Sequence, residues 1–200
     1  MENQVADKHQ MTSAGWLLII TGFLTIALMS QHPSGGDGGL MVPLVHGGLQ
    51  VVIVVQLAAF LMVGRHFGWS VPLVIGTLFF AAGQAAAIGA ATINGFVVPA
   101  LNAYPADSIG PDIGRFAWET NQALARLGVV AVGIGFALWS ICLWQDRQRS
   151  LAIAGWIAGL APALLLASGH ITMNLHGALF AYFTQALWLV ALGWSVIRRA

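Results

Sequence analysis

The sequence predicts an all-α, polytopic membrane protein: six transmembrane helices, built as three pseudo-repeated helical hairpins, in one domain spanning residues 1–200. Three observations predict it. Charged residues make up 8% of the chain and hydrophobic ones 58%, with a mean hydropathy of +0.80. A soluble domain carries about 25% Asp, Glu, Lys and Arg, so this composition cannot coat a core with wetted surface. Long stretches lack formal charge: Asp37 is the only Asp, Glu, Lys or Arg between Lys8 and Arg65, and there is none from Ser150 to Ile197. The apolar runs are also continuous, which suits helices of about 20 residues rather than the short alternating strands of a membrane barrel.

The six spans are 14–30, 43–64, 70–98, 116–144, 151–168 and 174–197. Turn-forming residues separate them. Residues 31–39 hold four glycines and Pro33, and Pro43 then falls where a first-turn proline is tolerated. Residues 102–112 form a second turn-rich connection. Gly169 ends the fifth span and Asn174 is placed to cap the sixth, so these two make a tight hairpin. Lys8 followed by a short apolar run gives the first span some likeness to a signal peptide. No small-x-small cleavage site follows it, and the internal repetition needs it, so it is read as a spanning helix.

Basic residues favour the cytoplasmic side of short loops. Lys8, Arg65, Arg147, Arg149, Arg198 and Arg199 share one side of this six-span arrangement, which puts both termini in the cytoplasm and the chain in the cell inner (plasma) membrane. Asp37, Asp107, Asp112 and Glu119 fall at the opposite face. Trp16, Trp69, Trp144, Trp156 and Trp194 mark the cytoplasmic interface. The bilayer is therefore the main partner, with room for other membrane subunits or a homo-oligomer. A net charge of +1 provides no field for nucleic acid. Cys142, the single cysteine, excludes an intramolecular disulfide and a Cys-rich metal site.

The even spans share a pattern near their outer ends: His46-Gly47-Gly48-Leu49, Asn121-Gln122-Ala123-Leu124 and His176-Gly177-Ala178-Leu179. The odd spans open on Gly15-Trp16, Gly68-Trp69 and Gly155-Trp156. Internal symmetry in membrane folds places sites where the repeats meet. Here it collects His32, His46, Asn94, Glu119, Asn121, Gln122, His170 and His176 at the outer level. Only Gln56, Gln84 and Gln185 stand near mid-depth.

An ionisable residue inside a span is a functional candidate by default, and imidazole is the commonest ligand for zinc, copper and haem iron. His46 and His176 lead, with small neighbours that leave room for a flat cofactor or a close helix. His170 precedes His176 across the fifth-to-sixth turn. With Glu119 and Asn121 these make a candidate metal or cofactor site, suited to haem b, copper or zinc. For either of His46 and His176 alone, interhelical hydrogen bonding is the better explanation, and only their matching positions in the repeat bring a ligand role level with it. Glu119, Gln122 and Arg126, spaced i, i+3 and i+7, share one helical face. Arg126 inside a span is expected to turn into the bundle, to balance charge or bind substrate with Gln122 and Asn94. Asn94 also ends a small-residue stripe, Gly83-Ala87-Ala90/Ala91, suited to close helix contact.

No GxSxG, Walker loop, HExxH, CxxCH or DxD pattern occurs, so hydrolysis by a serine nucleophile, nucleotide binding and covalent haem attachment lack support, and no catalytic residue is assigned. Three functions stay open: redox or metal chemistry at the outer cluster, small-solute or proton-coupled transport, and a structural or assembly subunit.

Overall fold

The computed structural model of the protein describes residues 2–32, 39–105 and 110–200. Asp37 and Asp107, and most of the glycine-rich loop, lie outside the described residues. The helices are α1 (Glu2–Ser30), α2 (Met41–Phe67), α3 (Val71–Thr92), α4 (Val98–Asn102), α5 (Pro111–Gln145), α6 (Arg149–Ala167) and α7 (Leu175–Arg199). A π-helical turn, Ile93–Val97, joins α3 to α4, so Val71–Asn102 is one continuous span. Six spans are long and apolar enough to cross a membrane, and no strand occurs among the described residues. The protein is an integral membrane protein.

The helices overrun the expected spans, most clearly at α1 and at the start of α5. Hydropathy marks the part of a helix inside hydrocarbon, whereas the hydrogen-bonded backbone continues into the headgroup region. At 35 residues, α5 is about 52 Å long, well beyond a hydrocarbon layer of roughly 30 Å. The α6–α7 hairpin is as tight as its turn residues imply. Gly169 takes φ +74°, and the Ile171 amide donates back to the Leu165 carbonyl at 3.2 Å. Asn174 caps α7, its Oδ1 accepting from the Gly177 amide at 2.9 Å.

Neighbours in sequence are neighbours in space, and α7 returns to α1, so the six spans close into a ring. Glycines set how closely the ring is drawn. A Cβ on Gly83 would meet the Gly128 carbonyl at 2.8 Å, and one on Gly135 would meet the Gly76 carbonyl at 2.8 Å. The faces of α3 and α5 therefore touch backbone to backbone along the small-residue stripe. Gly133 faces Gly159 between α5 and α6, and Gly15 faces Gly193 between α1 and α7, in the same way.

Inside the ring, towards the end that carries the basic residues, aromatic rings fill the space. Phe60 lies 3.9 Å from Trp139 and 4.1 Å from Phe80, centroid to centroid, and Phe136 lies 4.1 Å from Trp188. The indole nitrogens are satisfied: Trp139 donates to Thr77 Oγ1 at 3.1 Å and Trp188 to the Leu151 carbonyl at 3.0 Å. Outside the ring, Ile20, Phe23, Val51, Leu78 and Leu164 are exposed, as lipid-facing side chains are. At the basic end Arg199 pairs with Asp146, while the Arg149 and Arg198 guanidinium groups lie 5.3 and 4.9 Å from the Trp144 and Trp194 rings.

These contacts separate two kinds of glycine. Gly83→Ala places a methyl group against backbone and is expected to destabilise the bundle by about 1–3 kcal/mol. Gly114, near the start of α5, has nothing within 4 Å of its Cβ position, so Gly114→Ala is expected to be neutral or to stabilise by about 0.5–1 kcal/mol. Thermal unfolding of the two variants in detergent checks the contrast.

Candidate functional site

A cavity of about 370 Å³ occupies the half of the ring away from the basic end. Phe80, Phe136 and Leu189 line its deep end. It reaches outward to Trp118 and Asn174, both exposed, and to His32. Every spanning segment except α6 contributes to its wall. Towards the basic end, the buried rings of Phe60, Trp139 and Trp188 belong to the packed core and do not line the cavity.

His46 sits high on this wall, about 28 Å of helix above Arg65, and is only 4% exposed. Its Nδ1 lies 2.7 Å from the Val42 carbonyl one turn back, so Nδ1 carries the proton and donates. Its Nε2 then accepts from Asn94 Nδ2 at 3.3 Å. Asn94 reaches it because the π-helical turn widens the backbone at Ile93–Val97. That turn precedes Pro99, which has no amide proton to offer the Gly95 carbonyl and whose ring would crowd it. Glycine at 95 is required by the close approach: an added Cβ would sit 2.9 Å from His46 Cγ. The His32 ring stands edge-on to His46, 4.9 Å between centroids.

A ladder of neutral polar groups lines the deeper wall. Gln84 Nε2 donates to Gln56 Oε1 at 3.2 Å, Gln56 Nε2 to Thr25 Oγ1 at 3.0 Å, and the Thr25 hydroxyl to the Thr21 carbonyl at 2.9 Å. Across the cavity Gln185 Nε2 donates to the Val129 carbonyl at 3.2 Å. Gln122 Nε2 holds the Met173 carbonyl at 3.2 Å, which ties α5 to the α6–α7 turn. Asn121 is 7% exposed and lines the cavity, as does Tyr182.

No protein-family model matches the chain, and neither does any curated protein or solved structure. The chemistry of the site is therefore read from its own residues.

The expected site residues divide. His46, Asn94, Asn121 and Gln122 come together around the cavity. His170, His176 and Glu119 are exposed and do not line it. His170 Nδ1 instead lies 2.8 Å from its neighbour Ser168 Oγ. The expected convergence of His46, His170 and His176 does not occur, and among the described residues no three His, Cys, Asp or Glu side chains are grouped to hold a metal. Two of the small neighbours serve close packing rather than a cofactor: Leu28 packs 3.3 Å from the Gly48 Cβ position, and the Thr172 carbonyl sits against Gly177.

Arg126 departs from expectation for a reason of length. It lies roughly 30 Å of helix from Asp146, at the far rim of the hydrocarbon rather than deep within it. It is exposed, as is Glu119, and at that height a long side chain has the reach to carry its charge out of the hydrocarbon. The inward face of α5 is set by Ala117, Asn121, Ala125, Gly128 and Val132, all buried, and Gln122 borders it. That stripe of small residues was the available signal for the face. Gln56, Gln84 and Gln185, single amides in apolar spans, were the signal for the deeper wall, while Thr25, Trp118 and Tyr182 carried none.

The geometry separates the histidines by function in the fold. His46→Ala removes the acceptor for Asn94 and is expected to cost about 1–3 kcal/mol. Replacing His170 and His176 together by Ala is expected to shift stability by less than about 0.5 kcal/mol. Thermal unfolding measures both, and elemental analysis of the same preparations is expected to give a metal content that does not depend on His170 or His176.

Proposed function

We propose that this membrane protein is a binding protein whose intramembrane cavity receives an uncharged, largely apolar molecule bearing hydrogen-bonding groups. One observation carries the reading: among the described residues lining the cavity, none is Asp, Glu, Lys or Arg, while amides, a tyrosine and His46 provide neutral polar contacts between aliphatic and aromatic walls. A charged ligand would lose its hydration and meet no compensating charge, whereas a neutral one exchanges water for apolar contact and a few directed hydrogen bonds. The cavity lies within the range of about 300–1,000 Å³ typical of small-molecule sites.

The other readings find less support in the same geometry. Transport needs access from both sides, yet the polar lining ends near mid-depth and packed aromatic rings fill the space below. A metal or haem site would rest on His46 and His32, because His170, His176 and Glu119 face away. With the basic residues on the cytoplasmic side, both termini lie in the cytoplasm and the cavity faces outward. In intact cells, His170→Cys in a Cys142→Ser background is then expected to react with a membrane-impermeant maleimide. Lack of reaction there, with labelling only after lysis, would reverse the orientation.

The ligand class is tested by equilibrium dialysis of the full chain in detergent with 2-naphthol, 2-naphthalenesulfonate and 2-naphthylmethylammonium. The neutral probe is expected to bind at least about tenfold tighter than either ion. Ala91→Phe, which puts a ring into the cavity from a lining position, is expected to abolish its binding. Equal binding of the ions, or neutral binding that Ala91→Phe leaves intact, would refute the reading.

A further inference from the structure

The hydrogen bonds around the cavity have a direction, and backbone carbonyls impose it. A carbonyl oxygen only accepts, so whatever bonds to it must donate. The Thr25 hydroxyl spends its single hydrogen on the Thr21 carbonyl and can only accept from Gln56. The Gln56 amide is thereby oriented: its nitrogen meets Thr25 and its Oε1 accepts from Gln84. At the end of this chain Gln84 keeps Oε1 uncommitted. The Val129 carbonyl orients Gln185 in the same sense, and the Met173 carbonyl orients Gln122. The Val42 carbonyl takes the one proton of neutral His46, which makes Nε2 an acceptor, orients Asn94 and leaves its Oδ1 uncommitted.

Four amide oxygens, on Gln84, Gln185, Gln122 and Asn94, thus have no donor among the described residues. Among the described residues no enclosed side-chain nitrogen or oxygen lacks a partner. These oxygens therefore reach open space, and the residues that carry them line the cavity. Each amide nitrogen spends one of its two hydrogens on the wall and keeps the other, while the oxygen at the opposite corner keeps both lone pairs, so acceptor capacity exceeds donor capacity. Asn121 and the Tyr182 hydroxyl can act in either sense. The fixed part of the lining is weighted towards acceptors.

We propose that the cavity selects hydrogen-bond donors: uncharged hydroxyl- or N–H-bearing molecules over matching ethers or ketones. The inference rests on the binding reading above and deepens it by naming the chemical class. A donor satisfies oxygens that an ether would leave dry and unpaired, or would force to retain water. A site built to bond a hydroxyl discriminates strongly against the analogue lacking it.

The test is equilibrium dialysis of the full chain in detergent with 2-naphthol against 2-methoxynaphthalene, a pair that differs in the donor hydrogen. The ether partitions more readily into apolar surroundings, so unspecific uptake would favour it. The proposal expects the phenol to bind at least tenfold tighter, and this ratio to fall at least threefold in Gln84→Leu or Gln185→Leu. Affinity for the ether in those variants reports that the cavity is intact. Equal binding of the pair, both lost in Ala91→Phe, would overturn donor selection and leave the cavity reading standing. Tighter binding of the ether would overturn it as well. A preference unchanged in both leucine variants would overturn the assignment to these oxygens. Binding of neither probe would remove the cavity reading and this inference together.

Discussion

Hydrocarbon offers no hydrogen-bond partner, so a polar group in a membrane-spanning segment must find one within the protein or beside space that admits water or a ligand. That constraint organises this molecule. It makes the backbone helical from end to end of each span, and it draws Gln56, Gln84 and Gln185 inward from helices that are otherwise apolar. It also makes the exceptions informative. Among the described residues every enclosed side-chain nitrogen or oxygen has a partner, whereas the amide oxygens around the cavity have none in the wall and reach open space.

Packing decides where such a region can exist. Between α3 and α5, α5 and α6, and α1 and α7, glycines let backbones approach closely and leave no space between them. Towards the basic end, Phe60, Phe80, Phe136, Trp139 and Trp188 fill the ring. The half away from the basic end differs. There α2 meets its neighbours through side chains, Gly48 against Leu28 and Gly47 against Phe96, and the ring encloses a cavity. The molecule therefore has a solid half and a hollow half, divided at Phe80 and Phe136, which belong to both.

The π-helical turn of Ile93–Val97 shows how a local backbone feature serves this arrangement. Pro99 cannot sustain a regular α-helical bond to the residue four positions back, and π turns often mark functional positions. Here the turn brings Asn94 to His46 and places glycine, the only residue without a Cβ, against the imidazole. A proline that from sequence alone reads as an end or a kink thus helps set the polar contact that orients a cavity-lining histidine.

Composition and pattern by themselves determined the membrane architecture. Charge-free apolar runs cannot be anything but spanning helices, because the cost of exposing them to water, or of leaving their backbone unbonded in lipid, outweighs local preference. The small-residue stripe on α3, the Asn174 cap and the Gly169 turn were legible for the same reason: each is a short-range requirement met by neighbours in the chain. Which polar residues face one another was not legible. Positions that match in the sequence pattern do not share one environment: His46 and Asn121 are buried and His176 is exposed, because rotation of each helix about its axis is set by contacts with other helices. That rotation left His176, Glu119 and Arg126 exposed, and tertiary packing alone gathered glutamines from four spans and a tyrosine around a common space.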